Sequence, residues 1–254
     1  MSNTTPARRR PFAKALVATI ALGLAPSFGL AAAPSENTTV SSGQALSAKQ
    51  QSIVPIAAEM AVGNIPHLNT ALNRGLDAGL SVGEIKEILI QLYAYTGFPR
   101  SLNALSELMK VLDARKQRGI QDPAGREPTP VPPSSDMLAL GTANQTKLLG
   151  QPARAPLYEF APTIDDFLKR HLFGDIFARD NLDWQSRELA TVGALAAMPG
   201  IESQLQAHLG FSMNVGLTAA QLREVAQVLA QAGDVDAAAR TRTALDKHLA
   251  STKR

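Results

Sequence analysis

The sequence predicts an all-α protein built from two tandem helical repeats. Three observations lead there. The chain is 45% hydrophobic but only 5% aromatic, so Ala, Leu, Ile and Val must fill its core, and Ala and Leu favour helix intrinsically. From Leu46 onward, apolar residues recur with the period of an amphipathic helix. An ordered set of caps, glycines and charge pairs then appears twice, at offsets of 136 and 137 residues (Leu46 to Leu182, Gly79 to Gly216).

Residues 1–33 read as an address rather than as part of the fold. Arg8, Arg9, Arg10 and Lys14 precede an apolar stretch from Ala15 to Leu30, and small residues follow at Ala31–Ala33. That is the layout of a secretory signal peptide. Arg9-Arg10-Pro11-Phe12-Ala13-Lys14 resembles the twin-arginine export signal; an ordinary Sec signal with a basic head is the alternative. Gly23, Pro26 and Gly29 interrupt the apolar run, which argues against a lasting membrane span. Cleavage between Ala31 and Ala33 would leave an exported, periplasmic chain with no stable membrane anchor. The absence of cysteine suits an oxidising compartment. It also excludes disulfides, thiolate metal sites and cysteine nucleophiles. The formal charge is +3, with much of the excess at the two ends and no basic stripe with interleaved aromatics, so nucleic-acid binding is not expected.

After a flexible stretch, 34–45, the first repeat is expected over 46–118. Ser47 can cap a helix carrying Ile53, Val54, Ile56, Ala57 and Met60. A second helix over 65–78 ends at Gly79, which suits a left-handed C-cap. Ser81 and Glu84 form a capping-box pattern ahead of Ile85, Ile88, Leu89 and Leu92. Gly97 and Pro99 break that helix, and another runs from Ser101 to about Lys116. Residues 122–135 hold five prolines, marking a linker assigned to 119–136. The second repeat follows over 137–250. In both repeats a glycine, a Leu and a Ser or Thr lead into a capped helix with a basic-acidic pair, Lys86-Glu87 and Arg223-Glu224. One inserted residue in the Met198–Gly200 loop reconciles the two offsets.

These residues resemble the carboxymuconolactone decarboxylase family, and the second repeat carries the fuller match. Leu182-Asp183, Arg187-Glu188-Leu189, His208-Leu209 and Gly216-Leu217-Thr218 with Glu224 follow the family's order. Gly141 through Leu149-Gly150, and His171-Leu172-Phe173-Gly174-Asp175-Ile176-Phe177, resemble its upstream segments. The resemblance implies the all-helical alkylhydroperoxidase-D-like fold. The peroxidase branch of that superfamily uses a Glu, a Cys-x-x-Cys and a His. Here Glu188 and His208 match the Glu and His, while the cysteine positions hold Ile201 and Gln204. In the first repeat the corresponding four positions are Ser52, Asn64, His67 and Ala71. Without a thiolate, cysteine peroxidase chemistry is not expected of either repeat.

The resemblance implies a lyase that uses no cofactor and acts on a small carboxylate-bearing lactone or a related acid. Such chemistry needs a cation for the carboxylate, donors for the developing charge and an acid to reprotonate carbon. His208 is the first choice for acid/base work, against a structural, hydrogen-bonded histidine. Glu188 is its natural orienting partner, against a solvated helix charge. Arg187 either holds the substrate anion or pairs with Glu224 at a surface. Asp175 and Arg179, four apart on one helix face, either form an ion pair, the favoured reading, or reach the site. Arg100, at a helix start after Gly97-Phe98-Pro99, either projects into a pocket or stays exposed. Asn144-Gln145-Thr146 could line a pocket or form a loop. No His-x-x-x-His or Glu-x-x-His pair exists, so a metal site has little support. Single-repeat relatives form symmetric rings, which implies a homo-oligomer, trimeric or hexameric. The competing reading is a non-catalytic binding or assembly protein that kept the fold; the degenerate first repeat favours it.

Overall fold

In the computed structural model, residues 45–252 are described, and they belong to one compact unit. The expected signal peptide and nearly all of the 34–45 stretch lie outside the described residues. Among the described residues every regular element is helical.

Helix α1 (Ala48–Val62) opens with a complete capping box between Ser47 and Gln50 and closes at Gly63, whose φ of 75° needs no Cβ. Helix α2 (Ile65–Asp77) follows, and Gly79 (φ 93°) turns the chain back. Helix α3 (Val82–Gln91) starts from the expected Ser81–Glu84 capping box. After the short α4 (Tyr93–Thr96), α5 spans Phe98–Gln117. It begins three residues earlier than the sequence suggests, because Pro99 sits in its first turn. There the missing N–H removes no helix bond, so Pro99 starts the helix rather than breaking it.

The second region opens with α6 (Met137–Leu149), capped by Asp136, then α7 (Pro156–Phe160) and α8 (Pro162–Phe167). Helix α8 runs into a π-helical segment, Leu168–Ile176. This segment packs on α6 so closely at Gly141 that a Cβ there would lie under 3 Å from the backbone of Lys169 and Gly174. Helices α9 (Trp184–Ala197), α10 (Glu202–Asn214), α11 (Ala219–Gln231) and α12 (Val235–Ser251) then repeat the order of α1, α2, α3 and α5.

The two sets share one core rather than building two. Helix α1 lies along α9, and Ile53, Val54, Ile56, Leu189, Ala190 and Val192 are all buried in the shared core. Gly193 lets the helices approach, since a Cβ there would stand 2.8 Å from the Val54 carbonyl oxygen. A smaller cluster of Leu148, Leu172, Phe173, Ile176 and Phe177 fills the space under α6.

Contacts across the seam follow the repeat. Glu87 of α3 accepts a hydrogen bond from Arg187 of α9 (2.8 Å). Glu224 of α11 accepts one from Gln51 of α1 (2.8 Å) and another from the Leu46 N–H (2.7 Å). Gln51 and Arg187 are 136 apart, Glu87 and Glu224 137 apart, so the pairs occupy the same place in an approximate two-fold arrangement. The proline-rich stretch between the halves has no regular structure but is pinned. Pro123 and Ala124 carbonyls accept from the Val82 and Gly83 N–H groups (2.9 and 2.8 Å), which the first turn of α3 leaves without helical partners. Asp122 is held by Arg115, and Asp180 accepts from the Thr129 N–H and hydroxyl (both 2.8 Å).

Candidate functional site

Helix α9 is buried on all sides, and its adjacent residues Arg187 and Glu188 point to different neighbours. Asp183 starts the helix by accepting from the Ser186 N–H (2.8 Å) and hydroxyl (2.7 Å), which fixes the phase in which both side chains leave it. Glu188 turns to α10, where its Oε2 lies 2.9 Å from His208 Nδ1. Glu188 is fully buried and His208 is 9% exposed. With Nδ1–H donated to the carboxylate, His208 Nε2 keeps its lone pair free to take a proton. The imidazole is sandwiched edge-on between Phe211 (centroids 5.1 Å apart) and Tyr95 of the first half (5.6 Å).

Tyr95 is the residue that sequence reasoning missed. Its hydroxyl is buried with no hydrogen-bond partner, and so is Glu188 Oε1. Burial, reinforced by the charge of Glu188, pushes the Tyr95 phenol far above its ordinary value, so it stays protonated as a neutral donor. Tyr95 reaches His208 only because α4 packs against α9.

Arg187 turns away from this pair. It is completely buried, giving Nη2 to Glu87 (2.8 Å) and to the Arg179 carbonyl (2.6 Å), and Nη1 to Gln91 (2.8 Å). Burial lowers its affinity for the proton and Glu87 opposes that, leaving it a cation at neutral pH. Both sequence readings of Arg187 are corrected. It is closed off from any substrate anion, and its acidic partner is Glu87 rather than Glu224. Gln91 ties the network further, donating to the Arg187 carbonyl and the Thr191 hydroxyl (both 2.9 Å).

The expected Asp175–Arg179 ion pair does not form. Asp175 faces His171 (2.6 Å), while Arg179 holds Glu87 (2.9 Å). The π-helical segment ends at Ile176, so Arg179 lies past it and no longer shares a face with Asp175. Neither is brought to His208. Arg100 is exposed in the first turn of α5, with no hydrogen-bond or ion-pair partner among the described residues. Asn144 donates to the Phe173 carbonyl (2.8 Å) and lines a cavity of about 950 Å³ between the linker, α6 and the start of α9. Lys147 also lines it, 4.1 Å from the Trp184 ring centre, but His208 does not. Among the described residues, no group of His, Asp and Glu stands where three could hold a metal ion, and no helix is long and apolar enough to cross a membrane.

Two helical repeats packed about an approximate two-fold, with a buried Glu–His pair in the second alone, define a tandem member of an all-α class. The pattern of the carboxymuconolactone decarboxylase family matches residues 30–109 and 162–247, once on each half. The chain belongs to that family. No curated protein matches it.

Proposed function

We propose that the protein is a cofactor-free carboxy-lyase acting on a small carboxylate-bearing lactone or related acid, of the 4-carboxymuconolactone type. The observation that carries this reading is the buried Glu188–His208 pair with the Tyr95 hydroxyl kept protonated beside it. Loss of CO₂ breaks one carbon–carbon bond and sends its electron pair towards the lactone carbonyl. A neutral donor such as Tyr95 can hold the developing charge. Protonated His208 then delivers its Nε2 proton to carbon, and water restores it. Glu188 positions the ring through Nδ1. Export to the periplasm and a symmetric homo-oligomer complete the reading. The exposed Phe98, Leu102 and Met109 along α5 supply an apolar face for subunit contact.

The second reading, a non-catalytic binding or assembly protein, is favoured by one observation: His208 is nine-tenths buried and does not line the large cavity beside the linker. One experiment separates the two. CO₂ release from 4-carboxymuconolactone is followed with the mature chain, His208→Ala and Tyr95→Phe. The lyase reading expects His208→Ala to lower kcat by about 10²–10⁴-fold. It expects Tyr95→Phe to lower kcat by about tenfold or more. Absence of turnover from the folded wild-type chain sinks the named substrate class, and turnover unaffected by His208→Ala sinks the assigned site.

A further inference from the structure

The two-fold arrangement gives the His208 site a counterpart in the first half, and that counterpart has been hollowed out. Position by position, Glu188, His208 and Tyr95 correspond to Ser52, Ala71 and Ala232. Three large polar side chains are thus replaced by three small ones. A cavity of about 310 Å³ stands there, lined by Ala71 and Ala232 together with Pro55, Glu59, His67, Thr70, Arg74 and Gln231. That volume lies at the lower end of the range for small-molecule sites. The polar groups have moved to neighbouring positions. Glu59 takes the place of Leu195, His67 that of Gln204 and Arg74 that of Phe211. Where the second half presents uncharged Leu195, Gln204 and Phe211, the first presents ionisable groups.

The charge is arranged in two poles. Glu59 is 9% exposed. Its side chain has one weak ionic neighbour, His67, at 3.6 Å. Asp234, at the start of α12, adds a second negative charge felt at Glu59. A buried carboxylate without a close cation is costly, so this end of the cavity favours an incoming cation. The other pole is Arg74, exposed on α2 next to the Thr70 hydroxyl. A guanidinium so placed favours a carboxylate.

We propose that this cavity binds a small zwitterion, its ammonium group on Glu59 and its carboxylate on Arg74 and Thr70. The α-amino acids with small uncharged side chains are the simplest ligands of that class. The site is independent of the His208 chemistry, and nothing in the proposal requires turnover.

The test is isothermal titration of the full chain with L-alanine, beside propionate and ethylamine, which each carry one of the two charges. L-Alanine is expected to saturate one site per chain. Propionate and ethylamine should each bind about tenfold more weakly or worse, the equivalent of about 1.4 kcal/mol. Glu59→Gln, which is nearly isosteric, and Arg74→Ala should each weaken L-alanine by about tenfold or more. Ala232→Tyr copies Tyr95 into the matching place and should abolish binding by filling the cavity. Should that variant fail to fold by circular dichroism, Glu59→Gln and Arg74→Ala decide alone. No saturable binding of L-alanine, glycine or L-serine overturns the proposal. Binding that survives both charge substitutions, or propionate binding as tightly as L-alanine, does the same.

Discussion

In the second half, α9 offers Arg187 to Glu87 and Glu188 to His208; in the first, the matching positions of α1 hold Gln51 and Ser52. The backbone arrangement is nearly the same, and the free-energy terms are not. Arg187 and Glu87 form an ion pair with both side chains essentially out of water (0% and 1% exposed). Gln51 and Glu224 are only partly buried and involve one charge. The difference teaches that a duplicated helix pair can keep its seam while only one copy carries desolvated charge. The copy that lost its Glu and His became free to open a cavity of a different polarity.

The comparison is broken most severely at Glu87. Glu87→Ala leaves Arg187 buried without its carboxylate, and the loss of stability is expected to be about 3–5 kcal/mol. Arg187→Gln, which copies Gln51, should cost less, because Glu87 keeps Arg179. At the matching place, Glu224→Ala removes two charge-assisted hydrogen bonds that are only partly buried and strands no buried charge, so it should cost less than Glu87→Ala. Urea denaturation of the three variants checks the order, and a Glu224→Ala loss equal to that of Glu87→Ala would mean that the two halves carry equivalent seam contacts.

A pH series sharpens the same contrast at Glu59. Burial, with Asp234 adding to it, holds the Glu59 carboxyl above its ordinary value of 4.5. A carboxyl raised in the folded state favours folding at pH below its unfolded value, and that contribution is lost as pH rises through the folded value. Glu59→Gln should therefore raise Tm at pH 7, with the gain gone by about pH 4. A constant gain at every pH would place the effect in packing rather than ionisation.

The smallest effect is expected in the linker joining the halves. Thr129 and Arg126 hold the exposed Asp180 carboxyl down at about 2. A depressed carboxylate stabilises above its unfolded value and loses that contribution as pH falls through the folded one. Solvent screens most of that contribution at the exposed Asp180, so Asp180→Asn should leave Tm nearly unchanged but quicken tryptic cleavage after Arg126. An unchanged cleavage rate would mean the linker is held by its contacts to α3 alone.

What was legible in the sequence was local. Ser47, Ser81 and Thr218 form their caps because a capping box is decided within four residues. Glu188 and His208 follow the family order, and the packing of α10 on α9 brings them together. Tyr95 and Glu87 were not legible, because each reaches the second half only through packing between α3, α4 and α9, about a hundred residues away in the chain. Asp175 and Arg179 misled for a different reason. The four-residue spacing rule assumes one unbroken α-helix, and the π-helical segment ends at Ile176, between the two residues. The linker was recognised by its prolines, but its hydrogen bonds to the first turn of α3 come from backbone carbonyls, which carry no sequence signature.

Gly193 against Val54 has a bearing on how the chain reaches its fold. The apolar face of α1 is covered mainly by α9, whose residues leave the ribosome more than a hundred positions later. Synthesis at roughly 5–20 residues per second makes that an interval of several seconds. Until then α1 can close only on its own half, where Ile56 meets Gly75 of α2, and the face that carries Val54 and Ala57 towards Gly193 stays open. The first half cannot complete its core ahead of the second. Over that interval α1 is a sticky amphipathic segment, the part of the nascent protein most in need of a holding chaperone.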